Sequence, residues 1–268
     1  MVFQQKKLEI EKNDLKMKKK KLAISIDMDD AWVGFRNENS FLSEAFTNIF
    51  DLFKNEKYKP TLFIIGKDIN KNKENLKKAF NMGFDIGNHG YSHGYLDGLK
   101  NSEIKDEIYN THVALKEFGP IKSFRASGWS TNTNVDKILV ELGYEIDASR
   151  VKGFSFLILK IIHFIYARKV TKIYGRFSNL IFQNGLKMNN SLKYLILKAV
   201  FGIPFYHSML KYLPNVINNF LIKVSKFSNN QSYIFHARDF SNTNINKTTS
   251  ILSILSENYS LTSVRNFF

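Results

Sequence analysis

The 268-residue sequence contains no cysteine and no uncharged apolar stretch of 18 residues. Without cysteine there is no disulfide scaffold, no thiolate zinc site and no cysteine nucleophile, so any metal must be held by His and carboxylates. The richest apolar window, Gly153 to Ala167, is broken by Lys160 and His163. Its length suits a buried or interfacial helix rather than a membrane span. The N-terminus lacks the apolar stretch and small-residue cleavage site of a secretory signal, which predicts a cytoplasmic chain. No internal repeat and no low-complexity tract is visible. Acid is missing from residues 151–230, which carry 12 Lys or Arg and no Asp or Glu.

What is present points to a folded, basic protein. Hydrophobic residues make up 44% of the chain and 24 residues are Phe. That is enough for a sizeable core, in one large domain or two small ones, and too apolar for a disordered polybasic chain. The 39 Lys plus Arg exceed the 24 Asp plus Glu by 15, which suggests an anionic partner. The excess is local. Residues 1–21 hold 8 Lys and 3 acids, and residues 151–230 hold the 12 cations, leaving 19 basic against 21 acidic residues elsewhere. The chain therefore divides into a basic leader (1–21) and a near-neutral body (22–268) with a basic insert (151–230).

The body alternates strand and helix patterns. KLAISID, ending at Asp27, reads as a strand, and Leu42, Phe46, Ile49, Phe50 and Phe53 share one helical face. TLFIIG (61–66) and FDIG (84–87) read as strands around a Lys-rich helix at 70–82 stopped by Gly83. A helix over 102–118 precedes IKSF (121–124), a helix over 134–142 precedes YEIDA (144–148), and QSYIFH (231–236), a helix at 248–257 and a strand at 259–264 complete the pattern. Six or seven such units predict an α/β fold, a distorted (β/α) TIM-like barrel of about seven units. The insert carries two apolar helix candidates, 154–167 and 192–202.

Titratable residues recur at the ends of these strands: Asp27, Asp29 and Asp30; His89 and His93; Arg125; Asp147; His236. In a parallel barrel those ends converge on one face. Asp27 and Asp29 alternate by two and so point the same way, and His89 and His93 are spaced i and i+4. One carboxylate with two imidazoles is a three-ligand set for Zn²⁺ or a similar divalent ion, and the other carboxylate can serve as a general base. His112, His163 and His207 read as packing or surface residues.

SIDMDD, GNHGYSH, FRASGW, YEIDAS and YIFH, in this order, resemble the five motifs of the polysaccharide deacetylases (the NodB-homology, carbohydrate esterase 4 group). The resemblance covers about residues 22–149 and 231–265. It implies metal-assisted hydrolysis of the N-acetyl group of an amino sugar, in a polysaccharide or a lipid-linked precursor of a surface glycan. Asp27 would be the general base, Asp29 with His89 and His93 the metal ligands, Arg125 the partner that orients Asp27, and His236 the general acid. Met28 separates aspartates that are usually adjacent, so Asp30 rivals Asp29. Ser127 and Ala237 stand where the family usually has Pro. Asp147 matches the fourth motif, as a residue of the site or as a cap for the segment that follows. Trp129 and Trp32 would wall the sugar pocket beside Ser127 and Gly128, with a backbone N–H near Gly128–Trp129 facing the oxyanion.

Two functions from different classes remain. One is a metal-dependent deacetylase; the other is a catalytically inactive, membrane-associated carbohydrate-binding or scaffold protein with the same fold. The insert reads as a lid with a solvated basic face, or as an interfacial element on anionic headgroups at the inner membrane surface. Nothing in the sequence supports nucleic-acid binding.

Overall fold

The computed structural model describes residues 19–29, 42–96, 99–152, 189–201 and 203–268. Asp30, Trp32, His163, the candidate helix 154–167 and most of the basic leader lie outside them. The strands are β1 (Lys21–Met28), β2 (Thr61–Ile64), β3 (Asp85–Asn88), β4 (Ser123–Phe124), β5 (Ile146–Lys152), β6 (Lys193–Val200), β7 (Ile203–Pro204), β8 (Ser232–His236) and β9 (Ser260–Thr262). The helices are α1 (Leu42–Phe53), α2 (Lys73–Asn81), α3 (Asn101–Leu115), α4 (Thr133–Glu141), α5 (His207–Leu210), α6 (Asn215–Ser225) and α7 (Ile245–Asn258).

Seven parallel strands, in the order β6-β5-β4-β3-β2-β1-β8, curl into the distorted (β/α) barrel that the alternating pattern predicts. β9 adds in parallel to β1, and β7 folds back antiparallel on β6. β1, flanked by β2, β8 and β9, is buried from Leu22 to Met28, which is why it reads as a nearly continuous apolar run. Helices cover the outside with one apolar stripe each. In α1 the stripe is Leu42, Phe46, Ile49, Phe50 and Phe53, all buried. The Asn132 side chain caps α4, accepting from the N–H groups of Asn134 and Val135 at 2.9 and 3.1 Å. Gly83 ends α2 with φ 83°, a left-handed turn that glycine adopts without a Cβ penalty.

The sequence reading fails at the insert. Residues 192–202 do not form a helix: 193–200 are β6, and Leu195, Leu197 and Val200 point inward. KYLILKAV is short, with apolar positions spaced by two, and its backbone pairs with β5 from Ile146 to Lys152. Periodicity alone does not separate such a run from a buried helix segment. The insert is therefore not a helical unit spanning 151–230, because its first residues finish β5 and its later ones supply a barrel strand. Ladder pairing stops between β6 and β8, and side chains bridge the gap. The N–H groups of Ile196 and Lys198 donate to Gln231 Oε1 and Asn230 Oδ1, each at 3.0 Å.

Candidate active site

The strand ends bring the candidate residues together. The ladders place Asp27 beside Phe63 of β2 on one side and His236 of β8 on the other. Asp29 follows just past β1, and His89 just past β3. Asn88 pins the turn that follows: its Nδ2 donates to Ile108 O and Tyr144 Oη, and its Oδ1 accepts from the Gly90 N–H at 2.8 Å. Glu107, reaching from α3, accepts from the N–H groups of Tyr91 and Ser92 at 2.9 and 2.8 Å. This scaffold holds His93 at φ 66°, a left-handed conformation that is uncommon for a residue with a Cβ. The result is one cleft lined by Asp27, Asp29, His89, His93, Arg125 and His236, with Trp129, Tyr206, Ser208 and Arg238 around them.

Within the cleft, Arg125 Nη1 donates to Asp27 Oδ1 at 2.5 Å, and both side chains are buried. Asp27 Oδ2 faces His89 Nε2 at 3.9 Å. Asp29 Oδ2 lies 3.8 Å from His93 Nε2 and 4.0 Å from His236 Nε2. Burial works to raise the Asp27 pKa, but the Arg125 guanidinium, aided by His89 and His236, outweighs it and holds the carboxyl below its ordinary value. For Asp29 burial prevails and pushes the pKa up, with His236 and Arg238 offsetting part of the effect. Burial, then His89 and Lys67, hold the His93 imidazole well below its ordinary pKa, so it is neutral at pH 7.

Two hydrogen bonds set the ring orientations. His89 Nδ1 lies 2.8 Å from the Arg125 carbonyl oxygen. A carbonyl only accepts, so Nδ1 carries the hydrogen and Nε2 presents a lone pair to the cleft. At His236, Nδ1 is 3.2 Å from Ser208 Oγ, which also accepts from Arg238 Nη2 at 3.1 Å. The backbone N–H of His236 donates to Asp239 Oδ2 at 2.9 Å, and Lys211 Nζ lies 3.2 Å from Asp239 Oδ1.

Several expected residues lie elsewhere. Asp147 is buried behind the cleft, where it accepts from the Ser149 N–H at 2.8 Å and from Arg150 Nε at 3.1 Å. Arg150 in turn grips both oxygens of Asp136 at 2.7 Å. Asp147 therefore belongs to a structural ion network, and no atom of it lines the cleft. Ser127 is also behind the site, donating to the His89 carbonyl at 3.3 Å. The backbone N–H of Trp129 is spent on Ala126 O at 3.1 Å, which removes it as an oxyanion donor. Trp129 does form a wall, edge-on to Tyr206 with ring centroids 5.6 Å apart. Gly128, at φ 57°, packs so closely that an added Cβ would meet the Tyr95 ring at 2.2 Å. His112 and His207 are buried packing residues, as the sequence suggests.

Sequence reasoning missed Tyr206, Ser208, Arg238 and Asp239. Arg238 and Asp239 follow His236 within three residues, and their nearness to a strand end was a usable signal. Tyr206 and Ser208 had none, because they come from a segment read as an insert.

The donor chemistry bears on whether a divalent ion fits. Among the described residues no group of three or more His, Asp or Glu side chains is already closed around a metal-sized point. The donors nevertheless suit one. Asp29 Oδ1 is buried without a hydrogen-bond partner among the described residues, His93 is neutral, and His89 turns its free Nε2 inward while a backbone carbonyl holds its other nitrogen. That last arrangement is usual for a metal-ligating histidine.

Comparison with known proteins agrees with the motifs. The family model described as polysaccharide deacetylase matches residues 15–146. No curated protein sequence matches the chain. Among solved structures, a carbohydrate esterase 4 family pseudoenzyme from Bacillus anthracis superposes with TM-score 0.57 at 14% identity, over 94% of this chain and 66% of that one. A family 4 carbohydrate esterase from Streptomyces lividans, in complex with acetate, gives 0.54 at 13% identity over 91% of both chains. A peptidoglycan deacetylase from Bacillus subtilis gives 0.53 at 14% identity, over 93% of this chain and 90% of that one. At these identities the structural likeness speaks for the fold. This chain spans about two thirds of the length of the pseudoenzyme.

Proposed function

Because the chain belongs to the polysaccharide deacetylase family, we propose that its cleft hydrolyses the N-acetyl group of an amino sugar, releasing acetate and a free amine. The observation that carries this reading is the convergence of two unlike carboxylates, Asp27 held ionised by Arg125 and Asp29 facing two imidazoles, in one cleft.

Asp27 is the base. Arg125 occupies its Oδ1, so Oδ2 is the oxygen left to take a proton from the attacking water. His236 is the acid. In this reading the Ser208 hydroxyl, which accepts from Arg238, donates its own hydrogen to His236 Nδ1, which places the ring hydrogen on Nε2, facing the cleft. As the water oxygen bonds to the acyl carbon and the carbon–nitrogen bond breaks, that hydrogen passes to the departing amine. Trp129 and Tyr206 give the sugar an apolar wall and narrow the access of bulk water. Asp29, His89 and His93 would hold a divalent ion, and two imidazoles with one carboxylate favour Zn²⁺. When bound, such an ion supplies Lewis acidity toward the acyl oxygen and the attacking water.

The substrate reading extends to a lipid-linked precursor of a surface glycan, handled at the cytoplasmic face of a membrane. The acid-free basic stretch 151–230 supports it. No helix among the described residues is long and apolar enough to cross a bilayer, so this contact would be peripheral. The alternative, an inactive scaffold, draws on Ser127 and Ala237 at the usual Pro positions and on the likeness to a pseudoenzyme. The intact set of Asp27, Asp29, His89, His93, Arg125 and His236 favours the enzyme. Metal content separates the two: the purified protein should bind one equivalent of Zn²⁺, and the His89→Ala, His93→Ala double variant should not. A wild type that takes up no divalent ion at stoichiometric level contradicts the enzyme reading.

A further inference from the structure

We infer that the outer face of α6, together with the β6–β7 turn and the residues just past the helix, docks on an anionic lipid bilayer. This rests on the membrane-side part of the proposed function and locates the contact. The inward face of α6 is ordinary: Asn218, Leu221, Ile222 and Ser225 are buried. On a helix packed against a barrel the opposite face should be polar. Here it shows Val216 at 81% exposure and Phe220 at 56%, and Phe227 follows on the same stripe at 86%. Phe201, at the β6–β7 turn, stacks on Phe220 with ring centroids 6.3 Å apart and planes tilted by 11°, so turn and helix form one patch. Six of the twelve large apolar side chains exposed among the described residues fall between positions 201 and 227. Scattered exposed apolar residues need no explanation, but a contiguous group marks an interaction surface.

Charge identifies the partner. Residues 189–230 contain five Lys and no Asp or Glu. Exposed Lys223 lies one turn beyond Phe220, and Lys226 adjoins Phe227. Aromatic rings that enter the headgroup boundary, flanked by lysines that meet lipid phosphates, on a segment without carboxylates, are the composition of an interfacial element. The same chain segment carries Tyr206 and Ser208 into the cleft.

The test is flotation of the full-length protein with phosphatidylcholine vesicles, with and without phosphatidylglycerol. Binding should require phosphatidylglycerol and weaken as salt rises. Lys223→Gln with Lys226→Gln should lower partitioning about 25-fold, at about fivefold per cation. Phe220→Ser with Phe227→Ser should lower it at least about tenfold. The serine variant should still release acetate from a water-soluble N-acetylated glycan at the wild-type rate. Phe201→Ser, outside the helix, is the second probe should the double variant fail to fold, and it should also weaken binding. The inference is overturned by wild-type binding in the serine variants, by equal binding to vesicles without phosphatidylglycerol, by no binding at all, or by a concentration-dependent dimer that the serine variant abolishes. Vesicle binding without acetate release would leave the surface standing and contradict the catalytic reading.

Discussion

Arg125 Nη1 and Asp27 Oδ1 meet at 2.5 Å, although they lie 98 positions apart in sequence, and both side chains are buried at the end of β1. The guanidinium also lies over the Phe63 ring at 4.3 Å and donates from Nε to the Ala148 carbonyl at 3.3 Å. It therefore has little freedom, and the Asp27 carboxylate is fixed with it. Removing one partner of a buried pair strands the other charge and typically costs about 3–5 kcal/mol. Arg125→Met should destabilise the fold by an amount of that order and abolish acetate release. Asp27→Asn should leave Zn²⁺ binding intact while lowering the rate by more than about 10³-fold. Denaturant unfolding, metal analysis and acetate release on the two variants check these outcomes.

Ser208 is a positioning residue rather than a group that touches substrate. Its hydroxyl bridges His236 Nδ1 and Arg238. In Ser208→Ala the ring hydrogen of His236 is no longer directed to Nε2. The variant should lose about tenfold in kcat with KM nearly unchanged, because the lost bond serves the departing amine and not sugar binding. Nitrogen-15 shifts of the His236 ring should show the change in tautomer. An unchanged ring spectrum, or a loss confined to KM, contradicts this role.

His207 predicts an acid-sensitive fold. The ring is buried, 4.8 Å from the Phe235 ring, with Nε2 3.2 Å from Thr248 Oγ1. Burial leads the causes that lower its pKa to about 4 from 6.5, with Asp239 opposing in part. The folded state thus binds fewer protons than the unfolded chain between those values. The stability this neutral ring contributes is complete above pH 6.5 and is lost as pH falls toward 4. From pH 7 to pH 5 the loss should be about 2 kcal/mol. Urea midpoints across that range should fall in the wild type and stay flatter in His207→Phe. His93 acts in the same direction in the metal-free protein, so the comparison uses Zn²⁺-loaded samples.

Much of this architecture is legible in sequence, because parallel strands buried on both faces are runs such as KLAISIDM and the helices between them carry one apolar stripe. The strand ends then name Asp27, Asp29, His89, His93, Arg125 and His236 without coordinates. What stays hidden depends on partners distant in sequence. Asp147 closes an apolar run in sequence like the others, but β5 runs on to Lys152, and Arg150 and Asp136 hold Asp147 in a structural network. Ser208 reaches His236 across 28 residues that no spacing rule connects. β6 is not distinguishable from a helix in sequence, because an eight-residue apolar run fits either period until its parallel partner β5 is known.

The central claim is that this cleft removes acyl groups from amino sugars. It is tested most directly by acetate release from a panel of N-acetylated glycans, free and lipid-linked, with Zn²⁺-loaded wild type and Asp27→Asn side by side. Multiple turnovers on at least one N-acetylated sugar are expected from the wild type and none from Asp27→Asn. Acetate release at equal rates by the two proteins, or none from any substrate by a fully metal-loaded wild type, would contradict it.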